Sequence, residues 1–257
     1  MARPSNRYAR EPLTVSVNAG HDCHLGLLAF GDSITNGGGE LQWGVALQSW
    51  ALWVARGLGL PFTGYAVDGA RVTDVVESQI PAFERRTAHP GARYELGCLY
   101  IGVNDVRSPD WDATSFEAGF RTAAVFLRER CDRLLTLTAP LHLGLPRVGD
   151  KVHELDRAID RVAGDLDALV VDLRALHARN LVMPDRVHPT ALGQIGIAEH
   201  ALAVLERDGL PARVRPSSLV QWQSTRWGRL RNDATYAYRH GRYSAAALAA
   251  RVRRSDR

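Results

Sequence analysis

Two short stretches of the sequence carry residues that together could activate a hydroxyl group. Ser33 lies in AFGDSITNGGG (29–39), and Asp185 and His188 lie three residues apart in MPDRVHPT (183–190). A serine hydroxyl is a weak nucleophile until a base, usually a histidine oriented by a carboxylate, takes its proton. We therefore predict three catalytic residues: Ser33 as the nucleophile, His188 as the base and Asp185 as the group that orients the base.

Acyl transfer to a serine also needs hydrogen-bond donors fixed where negative charge develops on the carbonyl oxygen. Three candidate donors follow apolar runs: the backbone N–H of Ser33, the backbone N–H of Gly69 and the side-chain amide of Asn104. A glycine at position 69 lets a substrate approach the backbone closely. Asn104 donates hydrogen bonds without carrying a charge. These three residues form the predicted oxyanion hole.

Apolar runs alternate with helically spaced segments along the first 210 residues. The apolar runs predict buried strands at 25–30, 62–67, 96–102, 133–139 and 168–173. The remaining segments predict helices at 43–57, 72–86, 114–130, 148–163 and 191–207. This alternation predicts an α/β fold in which helices cover both faces of a five-stranded parallel sheet. Five such strands suit a flavodoxin-like order, which the sequence alone does not fix.

The predicted catalytic and oxyanion-hole residues share a position relative to these elements. Ser33 follows the first strand, Gly69 the second and Asn104 the third, while Asp185 and His188 precede the last helix. Ligands of open parallel sheets bind at the carboxyl ends of the strands. We therefore expect all five residues at one edge of the sheet.

Several neighbours of these residues are interpreted as structural. Asp32 and Asp105 are predicted to brace their turns by hydrogen bonds. Pro189 stiffens the turn that carries the predicted base, and Thr190 can cap the helix that follows. The glycines at 37–39 predict a mobile rim beside the predicted nucleophile.

Four blocks, FGDSITNG, YAVDGARVTD, IGVNDV and PDRVHPT, resemble those of the GDSL/SGNH hydrolase family of serine esterases and lipases. They occur in the family's order, and the resemblance covers about residues 25–207. It implies a flavodoxin-like three-layer α/β/α sandwich and hydrolysis of carboxylic esters or thioesters through an acyl-serine. It implies the same roles for the residues already named: Ser33, Asp185 and His188 as catalytic triad, and Ser33, Gly69 and Asn104 as oxyanion hole.

Two positions depart from the family pattern. The first block continues with Ile34-Thr35 where the family is named for a leucine, a variable position. The second block has Gly64 where an asparagine often stands five residues before the oxyanion-hole glycine. The sequence therefore does not show what supports the Gly69 loop.

The loops after the strands should shape the substrate pocket. The candidate lining residues are Trp43, Arg107, Trp111 and His142. Arg107 and Arg147 could favour an acidic group on the substrate, with solvation of both as the alternative. The sequence does not identify the substrate, and we expect a small acylated metabolite.

Composition predicts a cytoplasmic protein. The chain has three cysteines without regular spacing, which do not indicate a disulfide framework. The N-terminal stretch lacks the apolar core of a secretory signal, and no apolar stretch is long enough to span a bilayer. We expect neither a cofactor nor a metal, because the HDCH run at 21–24 is too tightly spaced for a usual zinc site.

A change in charge divides the chain. Residues 212–257 contain eleven arginines and two aspartates, a net charge of +9, whereas the preceding residues carry −5. We predict an N-terminal extension (1–24), an SGNH hydrolase domain (25–210) and a basic, aromatic-containing C-terminal extension (211–257). The extension is interpreted as a helical appendage that packs on its own domain or on a second subunit.

Three alternatives to a serine esterase stay open. The same acyl-serine could pass its acyl group to an acceptor alcohol or amine, which would make the protein an acyltransferase. The fold could serve as a non-catalytic binding module, although Ser33, Asp185 and His188 are intact. The basic, aromatic extension could bind nucleic acid, a class that we expect to be less favoured.

Overall fold

The computed structural model describes residues 24–42, 45–86, 93–145, 147–178, 180–220 and 225–255. Trp43, His21 and Cys23 lie outside these residues, so the pocket interpretation of Trp43 and the HDCH run stay predictions. Within the described ranges, no helix has the length and apolar character needed to cross a membrane.

Five parallel strands form one sheet in the order β2-β1-β3-β4-β5, which confirms the α/β prediction and gives the flavodoxin-like order. The strands are β1 (Leu27–Gly31), β2 (Phe62–Gly64), β3 (Tyr94–Tyr100), β4 (Cys131–Leu137) and β5 (Leu169–Val171). Strand β1 lies next to the edge strand β2 and is fully buried, because helices cover both of its faces. It pairs with β2 on one side and β3 on the other, with Leu27 opposite Phe62 and Leu96.

Helices cover both faces of the sheet. Helices α2 (Trp50–Leu58) and α8 (Ala191–Arg207) pack together on one face, and α6 (Ala113–Arg130) and α7 (Lys151–Asp165) pack together on the other. The remaining helical segments are α1 (Ser33–Asn36), α3 (Val72–Asp74), a π-helical turn (Val75–Gln79), α4 (Ile80–Arg86), α5 (Val103–Arg107) and a 3₁₀ turn (Pro216–Leu219).

The first predicted long helix, at 43–57, begins later than its apolar spacing suggests. Helix α2 starts at Trp50 because Ser49 caps it, accepting a hydrogen bond from the backbone N–H of Leu52. The segment before Ser49 instead connects α1 to α2. Trp50 is fully buried in the core, as its apolar spacing predicts.

The C-terminal extension forms α9 (Arg226–Ser255), and up to residue 245 its described arginine and aromatic side chains are mostly exposed. Trp227 is 80% exposed, so the helix does not bury its aromatic residues in the core. Its contacts with the remainder of the chain include an ion pair between Arg239 and Glu40, and Arg186 Nη2 lies 3.3 Å from His240 Nε2. The extension is thus a helix that contacts its own chain, and its status as a separate unit stays a prediction.

Candidate active site

Ser33 stands at the carboxyl end of strand β1. Strand β1 ends at Gly31, Asp32 caps the short helix α1, and Ser33 is its first residue. Oδ1 of Asp32 accepts a hydrogen bond of 2.9 Å from the backbone N–H of Ile34, so Asp32 braces the turn as predicted. Ser33 is 9% exposed, which leaves its hydroxyl at the surface of the core.

Ser33, His188 and Asp185 form a continuous hydrogen-bonded chain. Ser33 Oγ lies 2.9 Å from His188 Nε2, and His188 Nδ1 lies 2.7 Å from Asp185 Oδ2. A carboxylate can only accept hydrogen bonds, so the neutral imidazole carries its proton on Nδ1. Nε2 is then free to accept the proton of the serine hydroxyl. The structure therefore brings together the three side chains that the sequence placed 155 and three residues apart.

The turn that carries His188, here called the His188 loop (182–190), is held largely by its own backbone. Oδ1 of Asp185 accepts hydrogen bonds from the backbone N–H groups of Val187 and His188, at 2.9 and 3.1 Å. The backbone N–H of Met183 donates to the carbonyl of His188. One oxygen of Asp185 therefore shapes the loop while the other holds the imidazole.

The loop that carries Ser33, here called the Ser33 loop (31–40), packs tightly against the His188 loop. A Cβ atom at Gly39 would overlap the carbonyl oxygen of Pro189, and one at Gly38 would lie 2.8 Å from the carbonyl oxygen of Ser33. These contacts give the glycines a steric role, and the mobility predicted for 37–39 stays a prediction. Gly39 is needed because the backbones of the two loops approach too closely for a side chain, and Gly38 because the Ser33 loop folds back on itself.

Electrostatics favour a charged Asp185 beside His188. Burial alone would raise the pKa of Asp185, but hydrogen bonds from His188 and from two backbone N–H groups outweigh it and lower the pKa. The hydrogen bond to Asp185 raises the pKa of His188 above its usual value, although burial opposes this. Asp32 adds a smaller contribution in the same direction. The pair therefore stabilises the imidazolium that forms when His188 takes a proton.

The predicted oxyanion-hole donors follow three neighbouring strands. Ser33 follows β1, Gly69 follows β2 and Asn104 lies in the first turn of α5 after β3. Because β1 lies between β2 and β3, the other two donors lie on either side of Ser33. No hydrogen bond engages the backbone N–H of Ser33 or of Gly69 within the described part of the chain. Both groups are therefore available to a ligand.

The Gly69 loop has supports that replace the asparagine absent at position 64. Asn104 Nδ2 donates to the carbonyl of Ala70 at 3.0 Å, and the carboxylate of Asp105 accepts from the backbone N–H of Val72. Asp105 thus has the structural role predicted for it. Gly69 itself has a φ of 77°, a left-handed conformation that favours glycine.

The predicted pocket residues separate into two groups. Arg107 is exposed and near the His188 ring, because its positive charge slightly lowers the pKa of His188. The hydrogen bond to Asp185, which raises that pKa, has the larger effect. His142 lines a pocket together with Arg147. Trp111 instead donates to Glu154 at 2.9 Å and packs beside α6, so its described contacts are structural. A pocket role for Trp111 stays a prediction.

Sequence reasoning missed two buried glutamines that position the Ser33 loop. Gln79 pairs with both backbone groups of Gly31, accepting at 3.0 Å and donating at 2.7 Å. Gln194 accepts from the backbone N–H of Trp50 and donates to the carbonyls of Ile34 and Gly38. The sequence does show one glutamine on the otherwise apolar face of each helical segment. Because buried polar groups need hydrogen-bond partners, such a glutamine indicates a contact with a nearby backbone.

Comparisons with known proteins agree with this architecture. A model of the GDSL-like Lipase/Acylhydrolase family matches residues 29–194. An acetylxylan esterase from Geobacillus stearothermophilus is similar in structure, with a TM-score of 0.54 and 21% identity over 70% of this chain and 93% of that chain. An alpha/beta hydrolase enzyme from the metagenome of Lake Arreo, Spain, has a TM-score of 0.56 and 19% identity over 73% and 98% of the two chains. No curated protein sequence matches the chain.

The two kinds of similarity support different conclusions. At about 20% identity the solved structures establish the fold, a parallel sheet between two helical layers. The family match extends from the strand before Ser33 into α8, and so includes the whole candidate site. The chain therefore belongs to the GDSL-like lipase/acylhydrolase family and is a carboxylic ester hydrolase.

Proposed function

We propose that the protein hydrolyses esters or thioesters of a small acylated metabolite through an acyl-serine intermediate on Ser33. The observation that carries the proposal is the chain of hydrogen bonds from Ser33 Oγ through His188 to Asp185, at 2.9 and 2.7 Å. Both distances lie within the range at which a base takes a proton from a nucleophile.

The proposed reaction has two halves. In the first, His188 Nε2 takes the hydroxyl proton of Ser33 while Oγ attacks the ester carbonyl, and the same proton then passes to the leaving alcohol or thiol. In the second, a water molecule gives a proton to His188 and attacks the acyl-serine, which releases the acid and restores the hydroxyl. Asp185 keeps the ring oriented and stabilises the imidazolium in both halves.

The negative charge on the tetrahedral intermediate needs its own donors. The backbone N–H groups of Ser33 and Gly69 are unpaired within the described residues, and Asn104 uses one amide N–H for Ala70 and keeps the other. Donors held by backbone and by a neighbouring turn need little reorganisation when the charge appears. We therefore assign the oxyanion to these three residues.

The structural relatives suggest which acyl group to test first. Structural relatives include acetylxylan and acetyl-xylooligosaccharide esterases, so acetyl esters are the first substrates to test. The alcohol side is open, and a panel of esters and thioesters of increasing acyl length would define both sides. Product analysis with added alcohols or amines would reveal transfer in place of hydrolysis.

The decisive experiment uses Ser33→Ala. We expect this variant to lose about 10⁶-fold in turnover of short 4-nitrophenyl esters while its thermal unfolding stays cooperative. A fluorophosphonate probe should label the wild type on Ser33, as mapped by mass spectrometry, and leave the variant unlabelled. Undiminished hydrolysis by the alanine variant, or labelling at another residue, would reject the mechanism.

A further inference from the structure

A pocket of about 200 Å³ lies between the His188 loop and helix α9. It is smaller than the roughly 300–1,000 Å³ of sites that enclose a whole drug-sized ligand. It is therefore sized for one chemical group of a larger molecule. Its polar walls come from the loops after β4 and β5, from the His188 loop and from α9: His142, Arg147, His177, Arg186 and Tyr236.

The lining of this pocket is cationic and holds no carboxylate. Arg147 and Arg186 have no acidic partner within the described part of the chain. The nearby Arg174 shows the contrast, because it pairs with three aspartates: Asp156, Asp160 and Asp172. The pocket thus combines donor groups with uncompensated positive charge.

Arg186 occupies a backbone position that favours glycine. Its φ is 58°, in the left-handed region that costs an ordinary side chain energy. Its carbonyl accepts from Gly144, and its own N–H donates to Met183, so the surrounding loops hold this conformation. Only Nη2 of its guanidinium has a described partner, His240, which leaves other N–H groups for a ligand. The strain is tolerated where the side chain reaches the pocket.

Helix α9 completes the pocket. Tyr236, His240 and Ser244 follow one another at intervals of four residues, so they share one face of the helix. Tyr236 lines the pocket, and His240 bridges Arg186 and Ser244. The ion pair between Arg239 and Glu40 fixes the same helix beside the Ser33 loop. The C-terminal extension thereby contributes to a site on the body of the protein.

We propose that this pocket is an anion-binding site for a phosphate or carboxylate group, and that the group belongs to the ester substrate. Guanidinium groups bind both anions through paired hydrogen bonds. Arg186 stands between Asp185 and His188 in the chain, so an anion held there lies beside the catalytic loop. The assignment to the substrate rests on the proposed esterase function, whereas the binding site itself does not.

Binding is tested first without turnover, on the full-length Ser33→Ala protein. Isothermal titration calorimetry with inorganic phosphate, and separately with benzoate, at low ionic strength should detect saturable binding. Arg147→Gln should weaken it about tenfold or more, because one charge-assisted hydrogen-bond donor is removed. Arg157→Gln is the matched control, since Arg157 is exposed on α7 outside the pocket. No binding, or equal affinity in both variants, overturns the site.

The link to the substrate is tested with three phenyl acetates that differ only in the para group. These are 4-acetoxybenzoate, 4-acetoxyphenyl phosphate and the neutral methyl 4-acetoxybenzoate. We expect the wild type to prefer a charged ester about tenfold or more in kcat/KM, and Arg147→Gln to reduce that preference. The better of the two charged esters identifies carboxylate or phosphate as the ligand.

The outcomes separate the two proposals. Equal kcat/KM for charged and neutral esters would overturn the assignment of the anion to the substrate. Hydrolysis of none of the three esters together with no fluorophosphonate labelling of wild-type Ser33, with phosphate bound as predicted, would contradict the esterase mechanism and support the anion site.

Discussion

The Ser33 loop and the His188 loop present their side chains to each other, yet the protein holds them in different ways. The Ser33 loop is fixed from the core, by Gln79 on Gly31 and by Gln194 on the carbonyls of Ile34 and Gly38. The His188 loop is fixed mostly from within, by its own backbone and by Asp185, and one hydrogen bond from Gly144 holds it from a neighbouring loop.

This difference separates stability from catalysis. The supports of the Ser33 loop are buried amides whose loss leaves backbone groups unpaired in the core. The support of the imidazole is a half-buried carboxylate near the surface. Substitutions in the first set should lower stability most, and those in the second should lower activity most.

The largest expected effect is on activity, from Asp185→Asn. An asparagine can keep the loop shape through its oxygen, but it removes the charge that orients and stabilises the imidazolium. We expect kcat to fall about 10⁴-fold, with the free energy of unfolding changed far less. Steady-state kinetics and urea unfolding check both parts. Asp165→Asn, on an exposed ion pair at the end of α7, is the control that should keep full activity.

The second effect is on stability, from Gln194→Met. Methionine fills a similar volume but leaves the N–H of Trp50 and the carbonyl of Gly38 without the partner that Gln194 supplies, and it removes one of the bonds to the carbonyl of Ile34. We expect the free energy of unfolding to fall by about 3 kcal/mol. Gln48→Met, which removes only a surface contact with Arg56, should cost under about 1 kcal/mol. A similar loss of unfolding free energy in both variants would contradict the conclusion that Gln194 holds the Ser33 loop from the core.

The third prediction concerns the contact between the two loops. Gly39→Ala places a methyl group against the carbonyl of Pro189 and should push Ser33 away from His188. A displacement of about 1 Å can lower kcat about 100-fold. Gly164→Ala, an exposed helical position with open space around it, should be neutral or slightly stabilising. Full activity in Gly39→Ala would show that the loops do not depend on each other.

The smallest effect is on pH dependence, from Asp32→Asn. Hydrolysis needs a neutral His188, so kcat/KM should fall on the acid side with an apparent pKa above the ordinary 6.5. Burial raises the pKa of Asp32 to about 7, so Asp32 ionises in the pH range in which His188 loses its proton. A negative charge on Asp32 favours the imidazolium form of His188. Asparagine removes that charge, so the acid limb should move to lower pH by less than about one unit. A shift to higher pH would contradict this electrostatic assignment.

The sequence by itself determined the alternation of strands and helices and the chemistry at the ends of the strands. Apolar runs identified all five strands, because a strand that helices cover on both faces is apolar along its length and can be recognised from its own residues. The serine, histidine and aspartate were identifiable because their chemistry is a property of residue type. The cap at Thr190 was equally local, and its side chain accepts from the N–H of Gly193 as expected.

Only the tertiary structure decided how these parts meet. The sequence contains no sign that Gly39 must be a glycine, because Pro189, which it approaches, lies 150 residues away in the chain. Gln79 and Gln194 gave no local sign of the loop that they hold, and helix α9 gave none of the pocket that it closes. Hydrogen bonds and steric exclusion act over a few ångströms in space. Partners far apart in the chain are therefore set by strand order and helix packing.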